Sequence, residues 1–328
     1  MSELVRADDI ERAAAALAGV AVRTPLLAAP WLAERVGADV RLKCENLQAA
    51  GAFKIRGAYT AIARLGEADR RRGVIAYSSG NHAQGVALAA RIFGIRAVVV
   101  MPTTAPEIKR AGAERLGAEV VLEGTTSAER QQRAEAIAVE RGLTIVPAFD
   151  HPDIIAGQGT VGLEILEDWP DVDVVLVPVG GGGLLSGTAA WLKQRKPQVR
   201  VIGVEPAVSD AMRQSLAAGH PVTIPFGASI ADGLLPTRPG DLNFRHVREY
   251  VDEVVTVSEA AIAEATAELL RASKLVVEFS GAATVAALLS GACRAPGERV
   301  VAVLSGGNLD PARALALLSP APAATVQP

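Results

Sequence analysis

The chain has 328 residues, half of them apolar and 21% charged, enough for a large core and two domains in one globular protein. Thirty-three basic against 36 acidic residues leave a net charge of -3, which gives no electrostatic reason to expect nucleic acid or an anionic membrane as partner. Two cysteines, Cys44 and Cys293, exclude a disulfide scaffold and favour a reducing, cytoplasmic setting.

In chain order, Arg6, Asp8, Asp9, Glu11 and Arg12 interrupt the apolar run that a secretory signal needs. Residues 8–18 predict an Ala-rich helix behind Asp8 and Asp9 as caps, and Thr24-Pro25 breaks the pattern. Residues 40–44 predict a short strand leading to Gly51-Ala52-Phe53-Lys54-Ile55-Arg56-Gly57-Ala58. A helix is expected from Ala58 to about Leu65, and Arg70-Arg71-Arg72 as a solvated turn ending at Gly73. Val74–Tyr77, Val98–Met101, Glu119–Leu122 and Leu143–Pro147 predict strands, with helices to about Ile92, from Glu107 to Leu116 and from Ser127 to Arg141 between them. Such β-α alternation with short connections predicts a parallel sheet.

A second set follows, with strands over Val172–Val179, Val199–Val204, Val254–Val257 and Val300–Leu304. Helices are expected over Leu184–Lys193, Asp210–Ala218, Ser258–Arg271 and Gly281–Leu289, and residues 219–250 as long loops with short elements. Val174–Leu192 carries no charge and approaches bilayer length, but Pro178 and four glycines divide it into strand, loop and helix. The fold class is therefore α/β with two open twisted sheets flanked by helices. Residues 1–72 plus 150–320 are read as a large domain, 73–149 as a small domain and 321–328 as a disordered tail.

Four loops at strand ends carry the chemistry. Lys54 lies between Phe53 and Ile55 with glycines on either side. Apolar neighbours lower a lysine's pKa, and such an amine can form a Schiff base with an aldehyde cofactor; a structural lysine is the plainer reading. Gly180 to Gly183 join a hydrophobic strand to a helix, where backbone N–H groups make a phosphate cradle. The run is neither GxGxxG nor followed by GK[ST], so it meets neither nucleotide motif. Ser78-Ser79-Gly80-Asn81-His82 sits at the same kind of junction and can hold a carboxylate or cap a helix, and His82 has no metal-ligand neighbour. Ser305-Gly306-Gly307-Asn308 closes the last strand. A neutral serine there can meet a ring nitrogen without protonating it, which favours elimination over transamination.

In order and spacing these loops resemble fold type II, the tryptophan-synthase-β class of pyridoxal-phosphate (PLP) enzymes, and within it threonine/serine dehydratases and serine racemases. The likeness covers about residues 8–318. It also rests on Ala156-Gly157-Gln158-Gly159-Thr160, Val204-Glu205-Pro206, Ile230-Ala231-Asp232-Gly233, and Val277-Glu278 with Ser280-Gly281-Ala282. The resemblance implies that Lys54 binds the cofactor aldehyde and removes the Cα proton, that Gly180, Gly181, Gly182 and Gly183 hold its phosphate, and that Asn81 meets its phenolic oxygen. It further implies Phe53 beside the ring, Ser305 at the pyridine nitrogen, and Ser78, Ser79, Gly80, Asn81 and His82 around the substrate carboxylate. The cofactor would lie between the two domains.

Several positions depart from the family pattern. Ala52 replaces a frequent serine, and Phe279 replaces the usual proline after Glu278. Ser79 matches the racemases' second acid/base, and Arg130 matches a racemase-like arginine suited to a second substrate carboxylate. Glu205, Ser209 and Ala211 align with a racemase-like cation site for Mg²⁺ or Ca²⁺, though Ala211 falls where a carboxylate is expected and Asp210 stands next to it. The catalytic region nearly fills the chain, so control through an isoleucine-binding regulatory domain is not expected, and the family implies a homodimer or homotetramer. The expected activity is α,β-elimination from L-threonine or L-serine. The alternatives are a serine racemase, a threo-3-hydroxyaspartate ammonia-lyase or a hydroxyectoine-utilisation dehydratase, and, from another class, a catalytically silent sensor on the same fold.

Overall fold

The computed structural model describes residues 3–78, 80–105 and 107–318; Ser79 and the tail 321–328 lie outside the described residues. Two sheets organise the chain. The larger comprises β1 (Leu26–Ala28), β2 (Asp39–Lys43), β7 (Val174–Pro178), β8 (Arg200–Pro206), β9 (Glu253–Val257) and β10 (Arg299–Val303) in the order β1-β2-β10-β7-β8-β9. The smaller comprises β3 (Val74–Tyr77), β4 (Ala97–Met101), β5 (Glu119–Leu122) and β6 (Thr144–Ile145) in the order β5-β4-β3-β6. Every pairing is parallel except that of β1 with β2.

The β-branched runs explain the central strands. Val174-Val175-Leu176-Val177 and Ala97-Val98-Val99-Val100 are buried throughout, as strands covered by helices on both faces must be. Helices Glu259–Glu268 and Phe279–Leu289 cover one face of the larger sheet, and Ala7–Leu17, Pro152–Asp168, Gly183–Arg195 and Asp241–Tyr250 the other. The smaller sheet lies between Asn81–Phe93 on one side and Ser127–Arg141 on the other.

Three readings change. The helix after Lys54 runs Lys54–Ala63 and so begins at the lysine, not at Ala58. Arg70–Arg72 form the last turn of a short helix, Glu67–Arg72. Residues 219–250, read as loops, contain the helix Asp241–Tyr250, whose first N–H groups are satisfied by the distant carboxylate of Asp150 (3.0–3.2 Å). The 17-residue helix Pro152–Asp168 was not expected, because Gly157, Gly159 and Gly162 weaken a helix locally. Its reason is tertiary: a Cβ on Gly157 would stand 2.5 Å from the Arg56 carbonyl, so the glycines permit a close helix crossing.

Candidate active site

The Lys54 loop is forced into shape by its neighbours. Ala50 (φ 60°) and Gly51 (φ 72°) both adopt left-handed backbone, and a Cβ on Gly51 would lie 2.3 Å from Asn308 Oδ1. The next residues pair with the last strand's loop: Ala52 bridges Gly306, and Phe53 N–H donates to the Ser305 carbonyl at 3.2 Å. Lys54 opens its helix with Nζ 5.1 Å from the Phe53 ring centroid, and donates to the Ala148 carbonyl at 2.9 Å. Loss of water around the ammonium lowers its pKa to about 8. Helix Asn81–Phe93 packs directly on this residue, since a Cβ on Gly85 would come within 3.1 Å of Lys54 Cβ.

Gly180 to Gly183 are where sequence reasoning put them, between β7 and the helix Gly183–Arg195. A Cβ on Gly181 would meet the Phe149 ring at 2.4 Å, one on Gly182 the Met212 Cε at 2.8 Å, and one on Gly180 the Gly233 carbonyl at 3.1 Å. The loop is thus backbone packed so closely that side chains at these positions would collide with Phe149, Met212 and Gly233. Ala148 and Phe149 tie it to Lys54, the one by its carbonyl and the other by its ring.

Asn81 sits at the junction of three segments. Its amide nitrogen donates to Glu278 Oε1, and its Oδ1 accepts from Asn308 Nδ2 at 2.9 Å. Gly80 starts the same helix. His82 is buried with Nε2 3.0 Å from the Val146 carbonyl; desolvation holds its pKa down at about 3, so it is neutral and donates that bond. Ser305 is buried at the end of β10. Lys54, Phe53, Asn81, Ser305 and the four glycines therefore converge at the strand ends, where open α/β sheets bind ligands.

The suggested cation site lies against the back of the glycine loop, since Met212, which touches Gly182, bonds Glu205, and Leu234, which touches Gly180, bonds Ser209. Arg130 is buried in the first turn of Ser127–Arg141, donates to the Thr125 carbonyl (3.2 Å) and Ser127 Oγ (2.9 Å), and keeps a buried Nε without a partner. Burial lowers its pKa. Glu205 Oε1 and Oε2 accept from the Met212 and Arg213 N–H groups, each at 2.9 Å. Ser209 Oγ donates to the Leu234 carbonyl at 3.0 Å, and the Ala211 carbonyl accepts from Ser215 Oγ at 2.6 Å. Each of these donor atoms is engaged within the protein, and among the described residues no three His, Cys, Asp or Glu side chains form a metal-sized cluster. The donors do not fit a ready-made cation cage.

Sequence reasoning missed four participants. Phe149 lines the glycine cradle, and Lys109 touches the Gly80 loop. Asn243 is fully buried beside Gly182 with both amide atoms unpartnered. Glu278, noted only as part of a motif, holds Asn81. None has a local signal; only the Ile230–Gly233 and Glu278 motifs pointed to this corner.

A half-buried lysine of lowered pKa linked through Ala148 and Phe149 to a glycine loop suits a cofactor with a carbonyl at one end and an anion at the other. Residues 17–306 match the family model described as pyridoxal-phosphate dependent enzyme. An L-threonine ammonia-lyase of Thermotoga maritima is 48% identical over 94% of this chain and 76% of its own length. An L-threo-3-hydroxyaspartate ammonia-lyase of a Pseudomonas species is 42% identical over 92% of this chain and 95% of its own. The solved structure of maize serine racemase superposes with a TM-score of 0.92 at 36% identity, over 96% of this chain and 97% of that one. The chain belongs to the pyridoxal-phosphate-dependent enzymes of fold type II, in the threonine/serine dehydratase and serine racemase group.

Proposed function

We propose that this protein is a PLP-dependent ammonia-lyase that converts L-threonine to 2-oxobutyrate and ammonia, and L-serine to pyruvate and ammonia, by α,β-elimination of the β-hydroxyl. The observation that carries this reading is Lys54: its amine, desolvated to a pKa of about 8, bonds the Ala148 carbonyl next to Phe149, which packs on the glycine loop, and the 48%-identical relative is a threonine ammonia-lyase. The bound cofactor supplies the electron sink that acidifies the Cα–H bond. Lys54 would hold the cofactor aldehyde until the substrate amine displaces it, and the freed Nζ would then take the Cα proton. The N–H groups of Gly180 to Gly183 would hold the phosphate, Asn81 the phenolic oxygen, Ser305 the ring nitrogen, and Phe53 one edge of the ring. The loop of Ser78, Ser79, Gly80, Asn81 and His82 would take the substrate carboxylate, His82 by shaping it from behind.

Residues 1–72 with 150–320 are read as the large domain and 73–149 as the small one, with the cofactor between them. The two separate sheets support that division. Among the described residues no helix is long and apolar enough to cross a membrane, and a cytoplasmic homodimer or homotetramer is the assembly we infer. Exposed Leu47, Phe226 and Val276 are apolar surface that such an assembly would cover. Mg²⁺ or Ca²⁺ at Glu205, Ser209 and Ala211 would need further oxygen ligands, since Glu205 is the one carboxylate of the three.

A second reading, a 3-hydroxyaspartate ammonia-lyase, is favoured by the unpartnered Nε of Arg130 and by the Pseudomonas relative. Racemisation through Ser79 and hydroxyectoine breakdown are further variants of the same site. One experiment orders them: the visible spectrum of the purified protein, then 2-oxo acid release from L-threonine, L-serine and threo-3-hydroxyaspartate, with chiral analysis of recovered substrate and with or without EDTA. The expected result is a cofactor band lost in Lys54→Ala, with 2-oxobutyrate release falling by about 10²–10⁴-fold in that variant. An unchanged band or rate in Lys54→Ala would overturn the assignment.

A further inference from the structure

Lys109 lies on the helix Glu107–Arg115, which belongs to the smaller-sheet unit, yet its charge is satisfied across the boundary. The side chain is 6% exposed. Its ammonium bonds Asp232 and stands 3.9 Å from Glu278 Oε2, and both carboxylates belong to the larger-sheet unit. On the way there the lysine crosses the Gly80 loop closely: a Cβ on Gly80 would meet its Cδ at 3.1 Å and its Nζ at 3.2 Å. Gly112, one turn along, packs on Gln84, so the helix carrying Lys109 rides on the helix that begins at Asn81.

The two acceptors lead to the two halves of the site. Glu278 Oε1 accepts from Asn81 Nδ2. Asp232 starts the turn Asp232–Leu234, whose Gly233 carbonyl lies 3.1 Å from where a Gly180 Cβ would be. A cavity of about 90 Å³ opens beside the three charges, bounded by Ile108, Ile230, Phe279 and Arg313. Glu278 Oε2 is buried there without a hydrogen-bond partner. One ammonium facing two carboxylates next to free space is a joint that can open, unlike a charge set closed on all sides.

We propose that Lys109 is a positioning residue for the elimination: through Asp232 and Glu278 it clasps the Asn81 loop to the Gly180–Gly183 loop and sets the width of the site between the two sheets. This rests on the ammonia-lyase reading for its kinetic consequence, but not for its structural one. Without the clasp the closed form becomes a fraction of the population, and apparent substrate affinity falls by that fraction. Turnover at saturation changes less, because bound substrate recloses the site.

The test uses the holoenzyme with Lys109→Met, Lys109→Arg and Asp232→Asn. Losing a charge-assisted bond of this kind is expected to raise KM for L-threonine about tenfold in Lys109→Met, with kcat within about threefold. Lys109→Arg, which keeps the charge, restores most of the KM. Amide hydrogen exchange of residues 80–85 accelerates in Lys109→Met and in the half-exposed Asp232→Asn, while exchange in β7 and β10 stays at wild-type rates. Unchanged KM and unchanged exchange at 80–85 would overturn the proposal, as would acceleration spread evenly over both sheets, which is what a general loss of packing produces. If wild-type protein releases no 2-oxo acid, the ammonia-lyase reading fails, and the exchange comparison still decides the clasp.

Discussion

Two sets of charges lie on either side of Lys54, and they are built differently. Behind the lysine, Arg56 is 1% exposed and donates to both oxygens of Glu45 (2.8 Å each) and to both of Glu164 (2.7 and 2.9 Å). It also reaches Thr160 Oγ1 at 3.0 Å, while Lys43 bonds Glu164 and the Thr24 carbonyl. Two cations meet two carboxylates, and the charge closes to zero. Burial alone would raise the Glu45 carboxyl, but Arg56 overrides it and holds Glu45 below the usual carboxylate range. In front of the lysine, Lys109 faces Asp232 and Glu278, and the balance does not close. There burial prevails, and the Glu278 carboxyl is pushed up despite Lys109. Both oxygens of Glu45 are bonded, whereas Oε2 of Glu278 is not. The contrast teaches that a balanced, saturated network serves as a fixed floor for the Lys54 helix, whereas an unbalanced one at a boundary serves as a joint.

The strongest way to break this comparison is Arg56→Met. It leaves Glu45 and Glu164 buried with one remaining cation, and breaking a buried pair in this way costs about 3–5 kcal/mol. The unfolding free energy from urea titration should fall accordingly, and a loss smaller than about 1 kcal/mol would show the floor to be dispensable.

A middle-sized effect concerns Lys54 itself, between the two regions. Its pKa in the cofactor-free protein is depressed to about 8, so the folded state binds fewer protons than the unfolded chain between about pH 8 and the usual lysine range. Its cost is complete below pH 8 and disappears as the pH rises through that window. Cofactor-free wild type should therefore gain stability relative to Lys54→Met between pH 8 and 10.5, measured as the difference of their thermal midpoints. A difference that does not move with pH would place the amine in water.

The smallest effect is expected for Glu278→Gln. The glutamine carbonyl still accepts from Asn81, and its amide replaces an oxygen that had no hydrogen bond, only the Lys109 ammonium 3.9 Å away. Stability should change by about 1 kcal/mol or less. An effect as large as that of Arg56→Met would make the joint as rigid as the floor.

Much of the architecture was legible in the chain. Val74–Tyr77, Glu119–Leu122 and Ser127–Arg141 are legible with their observed ends, because apolar runs and a polar helical stretch are local signals; the structure adds a Thr126–Glu129 capping box at the helix start. The helix Pro152–Asp168 was not, because its glycines read as breakers until a second helix lies against them. The same holds for Asp241–Tyr250, capped by Asp150 from 91 residues away.

For the site, the sequence by itself determined the chemical parts: a lysine among apolar neighbours, a run of four glycines, an asparagine at a helix start and a serine at a strand end. Each is a property of residue type and near neighbours, and their order along the chain resembled one enzyme group. Only the tertiary structure decided what surrounds those parts. Phe149 against Gly181, Ala148 under the Lys54 amine, Arg56 closed on two glutamates and Lys109 stretched to Asp232 are all contacts between segments far apart in the chain. The physical reason is that solvation and charge balance depend on which groups become neighbours in space. A residue's type gives the charge it can carry, and the fold sets the cost of carrying it.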